Sequence, residues 1–283
     1  MRSIATVPGL RRVRHRIRTR VSEHPELYLP FARHKYGGLS PRVVDDTTEM
    51  VVDGYTRSAS TFAVYALQLA QDQPVRLAHH LHAPAQLIEA ARRGLPTLLV
   101  IREPRGAILS QLIREPGVDM RDAVAAYVRF HRSLRPYRDS MLVGEFEAVT
   151  RHFDVVIRRL NARFGLSLHE FVHTPEAVAE CMMMIEQRGS LSPQLLGFES
   201  GMVSRQVALS AARALADAHT EGELHEAWVP SDSREAAKQR LAEHWTSRRL
   251  DGLRAQAYGL YLEFAGDDAV TAAIPASVVG SLT

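Results

Sequence analysis

The thirteen residues Met50–Phe62, MVVDGYTRSASTF, constrain this chain more than any other segment. A short apolar run, Met50-Val51-Val52, enters the turn Gly54-Tyr55-Thr56-Arg57-Ser58-Ala59-Ser60-Thr61, and an apolar helix pattern follows from Phe62. A strand that meets a helix through so short a loop aims unpaired backbone N–H groups and the positive end of the helix dipole at one point. That setting suits an oxyanion. A Walker nucleotide loop, G-x-x-x-x-G-K-[ST], needs its lysine for the β/γ-phosphates and its last hydroxyl for Mg²⁺. Laid on Gly54, that template puts Ala59 at the second glycine and Ser60 at the lysine, and only Thr61 fits. The cation sits instead inside the loop, at Arg57, which argues against ATP or GTP hydrolysis.

A second apolar run, Leu98–Ile101, leads into Arg102-Glu103-Pro104, and Ser110 follows eight residues after the arginine. The stretch Tyr55–Phe62 resembles the 5′-phosphosulfate loop of sulfotransferases that use 3′-phosphoadenosine 5′-phosphosulfate (PAPS), written Y-P-[KR]-S-G-[ST]-T-[WF]. The stretch Leu98–Ser110 resembles the same family's 3′-phosphate motif. The resemblance spans roughly Val51 to Leu166. It takes a form associated with a bacterial subfamily carrying R-S-A-[NS]-T-F and H-H-L-H-A-P. Arg57 in place of the more usual lysine and Ala59 in place of glycine are the departures.

The resemblance implies an α/β, three-layer P-loop-like fold, PAPS as co-substrate with PAP as product, and no metal requirement. It assigns Arg57, the N–H groups of Ser58, Ala59, Ser60 and Thr61, and the Ser60 and Thr61 hydroxyls to the leaving phosphate. Arg102 and Ser110 are expected on the 3′-phosphate, with Arg105 either a third contact or solvated. Phe62 is expected either beside the adenine or in the core. For the base, His82-Ala83-Pro84-Ala85-Gln86-Leu87-Ile88 fits the K-T-H-x-P-x-x-L-L segment of eukaryotic cytosolic members. A neutral imidazole suits removal of a hydroxyl proton at neutral pH. His82 is the expected base and His80, at the position of that motif's lysine, the alternative. A glutamate base, as in other branches, is a third reading, whereas Glu145 and Glu147 read as structural. Three clustered histidines (His79, His80, His82) also fit zinc, but no fourth ligand is near in sequence.

Composition sets the frame. The 283 residues suffice for one large domain, or one domain with helical additions. Cys181 is the single cysteine, so neither an internal disulfide nor a cysteine metal cluster is available, and a reducing, cytoplasmic setting is expected. No run approaches the ~18 apolar residues of a membrane span. Lysine occurs only at Lys35 and Lys238, so arginines must hold any phosphates in the two motifs. Residues Leu10–Val21 carry six arginines and no acid, with Leu10, Val13, Ile17 and Val21 on one helical stripe. That arm reads as a first helix packed on the domain or solvated. Contact with an anionic membrane, a presequence and nucleic-acid binding are the alternatives, and no nucleic-acid partner is expected.

Strand and helix patterns alternate: strand 50–55, helix 60–71, strand 75–79, helix 84–93, strand 97–102, helix 104–114, a long helix 119–137, strand 141–146, and helix 152–164. This order implies a central parallel sheet of about four to five strands with helices on both faces. Residues 175–187, 206–219 and 233–264 read as helices, the last broken at Asp251-Gly252. The expected organisation is a basic helical arm (1–45) and a sulfotransferase domain (46–265). Within that domain, the nucleotide-binding core is 46–166 and the helical acceptor-side region 167–265. A loose tail (266–283) completes the chain. Arg234 and Lys238, one helical turn apart, fit a late segment that closes over the nucleotide, or a solvated helix face. The expected acceptor carries a hydroxyl or amine; a carbohydrate is favoured, and a lipid-linked sugar or small alcohol also fits. The competing readings are a nucleoside-triphosphate-dependent kinase with a degenerate P-loop, and a non-catalytic nucleotide- or nucleic-acid-binding module.

Overall fold

Strands β1 (Met50–Gly54), β2 (Leu77–His79), β3 (Thr97–Ile101) and β4 (Leu142–Glu145) form one parallel sheet in the order β2-β1-β3-β4. The computed structural model describes residues 8–36, 42–218 and 232–266. Gly54 pairs with Val100 and Val52 with both His79 and Leu98. The chain leaves β1 towards β2 on one side and returns to β3 on the other. The strand order therefore reverses at β1, and a crevice opens between the carboxyl ends of β1 and β3. Open parallel sheets take their ligands at such a point.

The helices in chain order are α1 (Pro8–Val21), α2 (Pro25–Tyr36), α3 (Ser60–Ala70), α4 (Pro84–Arg92), α5 (Pro104–Arg114), α6 (Met120–Leu134), α7 (Phe146–Arg151) and α8 (Phe153–Phe164). They continue with α9 (Pro175–Gln187), α10 (Pro193–Glu199), α11 (Arg205–Ala218), α12 (Asp232–Trp245) and α13 (Asp251–Phe264). Because side chains alternate along a strand, each strand feeds two cores. Val51, Leu99, Ile101 and Val143 pack with α2, α4, α5, α6 and α13. Met50, Val52, Leu98, Val100 and Leu142 pack with α3, α8, α9, α10 and α11 on the opposite face. The result is the expected three-layer α/β arrangement. Strands buried on both faces explain why they read as continuous apolar runs.

The structure departs from the sequence reading in four places. Helix α2, inside the expected N-terminal arm, buries Tyr28, Leu29 and Ala32 in the core. A separate short helix, α7, precedes α8. Helix α10 was not anticipated at all. The last helical stretch breaks between Trp245 and Asp251, through a 3₁₀ turn at Arg248–Leu250, rather than at Asp251-Gly252. The expected tail beyond residue 266 and the Arg234 side chain lie outside the described residues.

Candidate functional site

Gly54 ends β1 where no larger residue fits, since a Cβ there would stand 2.0 Å from the Val100 carbonyl oxygen. Tyr55 then anchors the loop: its buried hydroxyl lies 2.5 Å from Gln111 Oε1 and 3.1 Å from the Ala123 carbonyl. Arg57 (φ 68°) and Ala59 (φ 74°) both adopt the left-handed conformation. This conformation costs an L-residue roughly 1–2 kcal/mol, which explains why glycine is usual where Ala59 stands. Both reversals fall in the loop immediately ahead of α3. Ser58 and Ser60 are buried, and neither hydroxyl has a hydrogen-bond partner among the described residues. Buried polar atoms are ordinarily satisfied, so these two hydroxyls in one loop are candidate contacts for a polar ligand.

The second motif meets the first. Arg57 Nε donates to Ser110 Oγ at 3.0 Å, and Arg102 Nη1 donates to the Arg57 carbonyl at 3.1 Å. Arg102 is held from behind, its guanidinium carbon 3.9 Å from the Phe146 ring centre and its carbonyl accepting from the Tyr127 hydroxyl at 2.7 Å. Glu103 caps α5 by accepting from the amides of Arg105 and Gly106. Phe62 takes the core half of its two expected roles, packed among Phe153, Phe171 and His173. Glu145 bonds the Tyr261 hydroxyl, which fits the structural role read for it.

The histidine segment is pinned by Asp53, a fully buried carboxylate. It accepts from the amides of Gly54 (2.9 Å), Leu81 (3.0 Å) and His82 (3.2 Å) and from Gln86 Nε2 (3.2 Å). His82 lies with Nδ1 2.9 Å from the Gly54 carbonyl and 3.4 Å from Asp53 Oδ1. Nδ1–H therefore donates to the Gly54 carbonyl, and Nε2 is the ring nitrogen left over from that bond. The side chain is 26% exposed and lines a cleft with Tyr55, Thr56, Gln111 and, from the N-terminal helix, His15, Arg18 and Thr19. One wall of this cleft therefore comes from α1.

His80 is placed differently. Its side chain is 3% exposed, and both ring nitrogens are engaged: Nε2 with Thr61 Oγ1 at 3.0 Å, Nδ1 with His79 Nδ1 at 2.6 Å. His79 Nε2 meets Ser200 Oγ at 3.2 Å, and Ser200 Oγ donates to the Leu196 carbonyl at 3.3 Å. One hydroxyl has one hydrogen, so the direction of the chain follows. Ser200 accepts from His79 Nε2–H, His79 Nδ1 accepts from His80 Nδ1–H, and His80 Nε2 accepts from the Thr61 hydroxyl. Both imidazoles are neutral. Burial above all, with Arg42 and Arg188 adding, holds them well below the ordinary histidine pKa.

The two Nδ1 atoms also lie 3.8 Å from Glu199 Oε2, a grouping with the shape of a metal site. Glu199 is already neutralised by a two-pronged pair with Arg188. A divalent ion there would face the Arg188 and Arg42 guanidiniums, so the group suits neutral imidazoles better than a cation. Among the residues the sequence reading missed, Asp53 alone left a local signal, an acid closing an otherwise apolar strand. Glu199, Ser200 and Arg188 left none. No family model matches this chain, and comparison with curated proteins and with solved structures returns no match.

Proposed function

We propose that this chain is a PAPS-dependent sulfotransferase that moves a sulfuryl group to a hydroxyl or amine of an acceptor, with His82 as the base. One observation carries the reading. Two anion-type motifs 45 residues apart in sequence are hydrogen-bonded into one unit, Arg102 to Arg57 to Ser110, at the sheet's crevice. A chain using these motifs for separate purposes has no reason to lock them together. The partnerless hydroxyls of Ser58 and Ser60 fit a phosphosulfate as well. Arg57, the Ser58–Thr61 amides and the Ser60 and Thr61 hydroxyls would hold the 5′ end; Arg102 and Ser110 would hold the 3′-phosphate.

When bound, the nucleotide supplies the sulfuryl group and a phosphate leaving group. The residues position it and stabilise charge. The Arg57 guanidinium offsets negative charge on the leaving oxygen. His82 Nε2 takes the acceptor's proton, with Gly54 and Asp53 fixing its tautomer. For Thr61 to donate to an oxyanion, its hydroxyl rotates away from His80 Nε2, and neither histidine changes its protonation. Arg57 takes the place of lysine without loss, because a phosphate leaving group requires no proton.

The direct test is incubation with labelled PAPS and a metabolite extract, scored for new sulfated species. In parallel, PAP without Mg²⁺ is expected to raise the melting temperature. Stabilisation by ATP with Mg²⁺ and none by PAP would replace this reading with a kinase.

A further inference from the structure

Helix α1 is packed inside out. Its polar side faces the protein: Arg12 Nε and Arg16 Nε donate to the Asp122 carboxylate at 2.6 and 2.9 Å, and His15 and Thr19 line the cleft beside His82. Three of the four residues of its apolar stripe face out, Leu10, Val13 and Ile17 being exposed by 47%, 50% and 57%, while Val21 at the helix end packs against the core. A helix held by a hydrophobic core does the reverse. The next helix adds to this, because Leu27 and Phe31, one turn apart on α2, are exposed by 63% and 60%. Ten large apolar side chains are exposed among the described residues, and five belong to these two helices.

Charge selects the occupant of that face. The α1 sequence has six arginines and no acid. Arg12 and Arg16 are paired with Asp122. Arg14 and Arg20 are exposed and stand one helical turn from Leu10 and Ile17, flanking the stripe. A second copy laid on this face would oppose two acid-free arginine helices. An apolar stripe edged by guanidiniums, on a helix lying flat, matches the boundary between anionic headgroups and acyl chains. From this inverted, arginine-edged helix we infer that α1, with Leu27 and Phe31, seats the protein on an anionic bilayer surface.

The same helix walls the cleft of His82, and Arg18 Nη2 bonds the Leu81 carbonyl beside it at 3.2 Å. Seating α1 on a bilayer places the cleft one helix width, about 10 Å, from the lipid boundary, so the acceptor class is a hydroxyl-bearing amphiphile whose headgroup reaches out of the bilayer to it. This acceptor assignment rests on the sulfotransferase reading; the lipid contact does not.

The test is co-sedimentation of the full chain with vesicles of phosphatidylcholine alone and of phosphatidylcholine with phosphatidylglycerol. Binding is expected only with phosphatidylglycerol, weakening as salt rises. The triple change Leu10→Gln, Val13→Gln, Ile17→Gln is expected to lower partitioning by more than about tenfold, with the melting temperature and the PAP-induced shift unchanged. Arg14→Glu with Arg20→Glu should do the same by charge alone. Absence of binding, equal binding to uncharged vesicles, or equal binding by the triple variant overturns the inference. So does self-association, or capture of an acidic protein in place of lipid, that the triple change abolishes. If PAP fails to stabilise the protein while vesicle binding persists, the lipid contact stands and the acceptor assignment falls.

Discussion

Two histidines two positions apart in the chain have opposite surroundings, and their substitution is expected to separate accordingly. His82 spends one nitrogen on the Gly54 carbonyl and lines the cleft, whereas His80 spends both nitrogens inside the protein. His82→Ala is expected to lower turnover by about 10²–10⁴-fold while PAP affinity stays within roughly a factor of two, read by calorimetry beside sulfur-transfer rates. His80→Ala removes the acceptor of the Thr61 hydroxyl and is expected to weaken PAP as well. The reverse pattern, with His82→Ala active and His80→Ala dead at full PAP affinity, would reassign the base. Arg57→Ala is expected to cost about 10²–10³-fold in turnover, and near-normal activity would remove it from the chemistry. At this scale the sequence was legible wherever the candidate residues lie within one local segment, as in 55–62 and 102–110, which the fold brings together. Glu199 and Ser200 come to His79 from about 120 residues away, and no spacing rule reaches that far.

At the level of elements, the sheet and its helices follow from alternating apolar runs and helical periods, and most boundaries fall within a residue or two of expectation. The exceptions are physical. Helix α10 is seven residues long, two turns, too short for a period to show. It nevertheless delivers the buried Glu199 to the histidines. The join of β1 to β3 is tight enough to test by one atom. Gly54→Ala puts a Cβ 2.0 Å from a backbone oxygen that cannot move without the strand. The expected loss is about 3 kcal/mol or more, read as a lower denaturant midpoint with an unchanged slope. Gly201, at φ 72° with the Val75 carbonyl 1.9 Å from its would-be Cβ, ties the end of α10 to the approach of β2. Gly201→Ala is expected to destabilise comparably, and an unshifted midpoint in either variant would contradict the packing described.

The molecule as a whole should be acid-sensitive well above the range of its carboxylates. His79 and His80 are held far below the usual histidine pKa, and burial pushes His131 down to about 4. Each stays neutral in the fold and gains a proton when unfolded, at a pKa of about 6.5. Their contribution is therefore complete above about pH 6.5 and is lost as the pH falls towards the folded values. The loss is up to about 1.4 kcal/mol per pH unit for each group. Melting temperature is expected to be flat from pH 7 to 8 and to fall steeply below about pH 6. A curve that stays flat to pH 5 would show these imidazoles to be protonated in the native protein.

The bond from Arg102 to the Arg57 carbonyl makes the two ends of the crevice mechanically one. On the proposed reading, a donor lacking its ribose phosphate would then forfeit alignment as well as grip, and Arg102→Ala is expected to depress kcat and not merely raise KM.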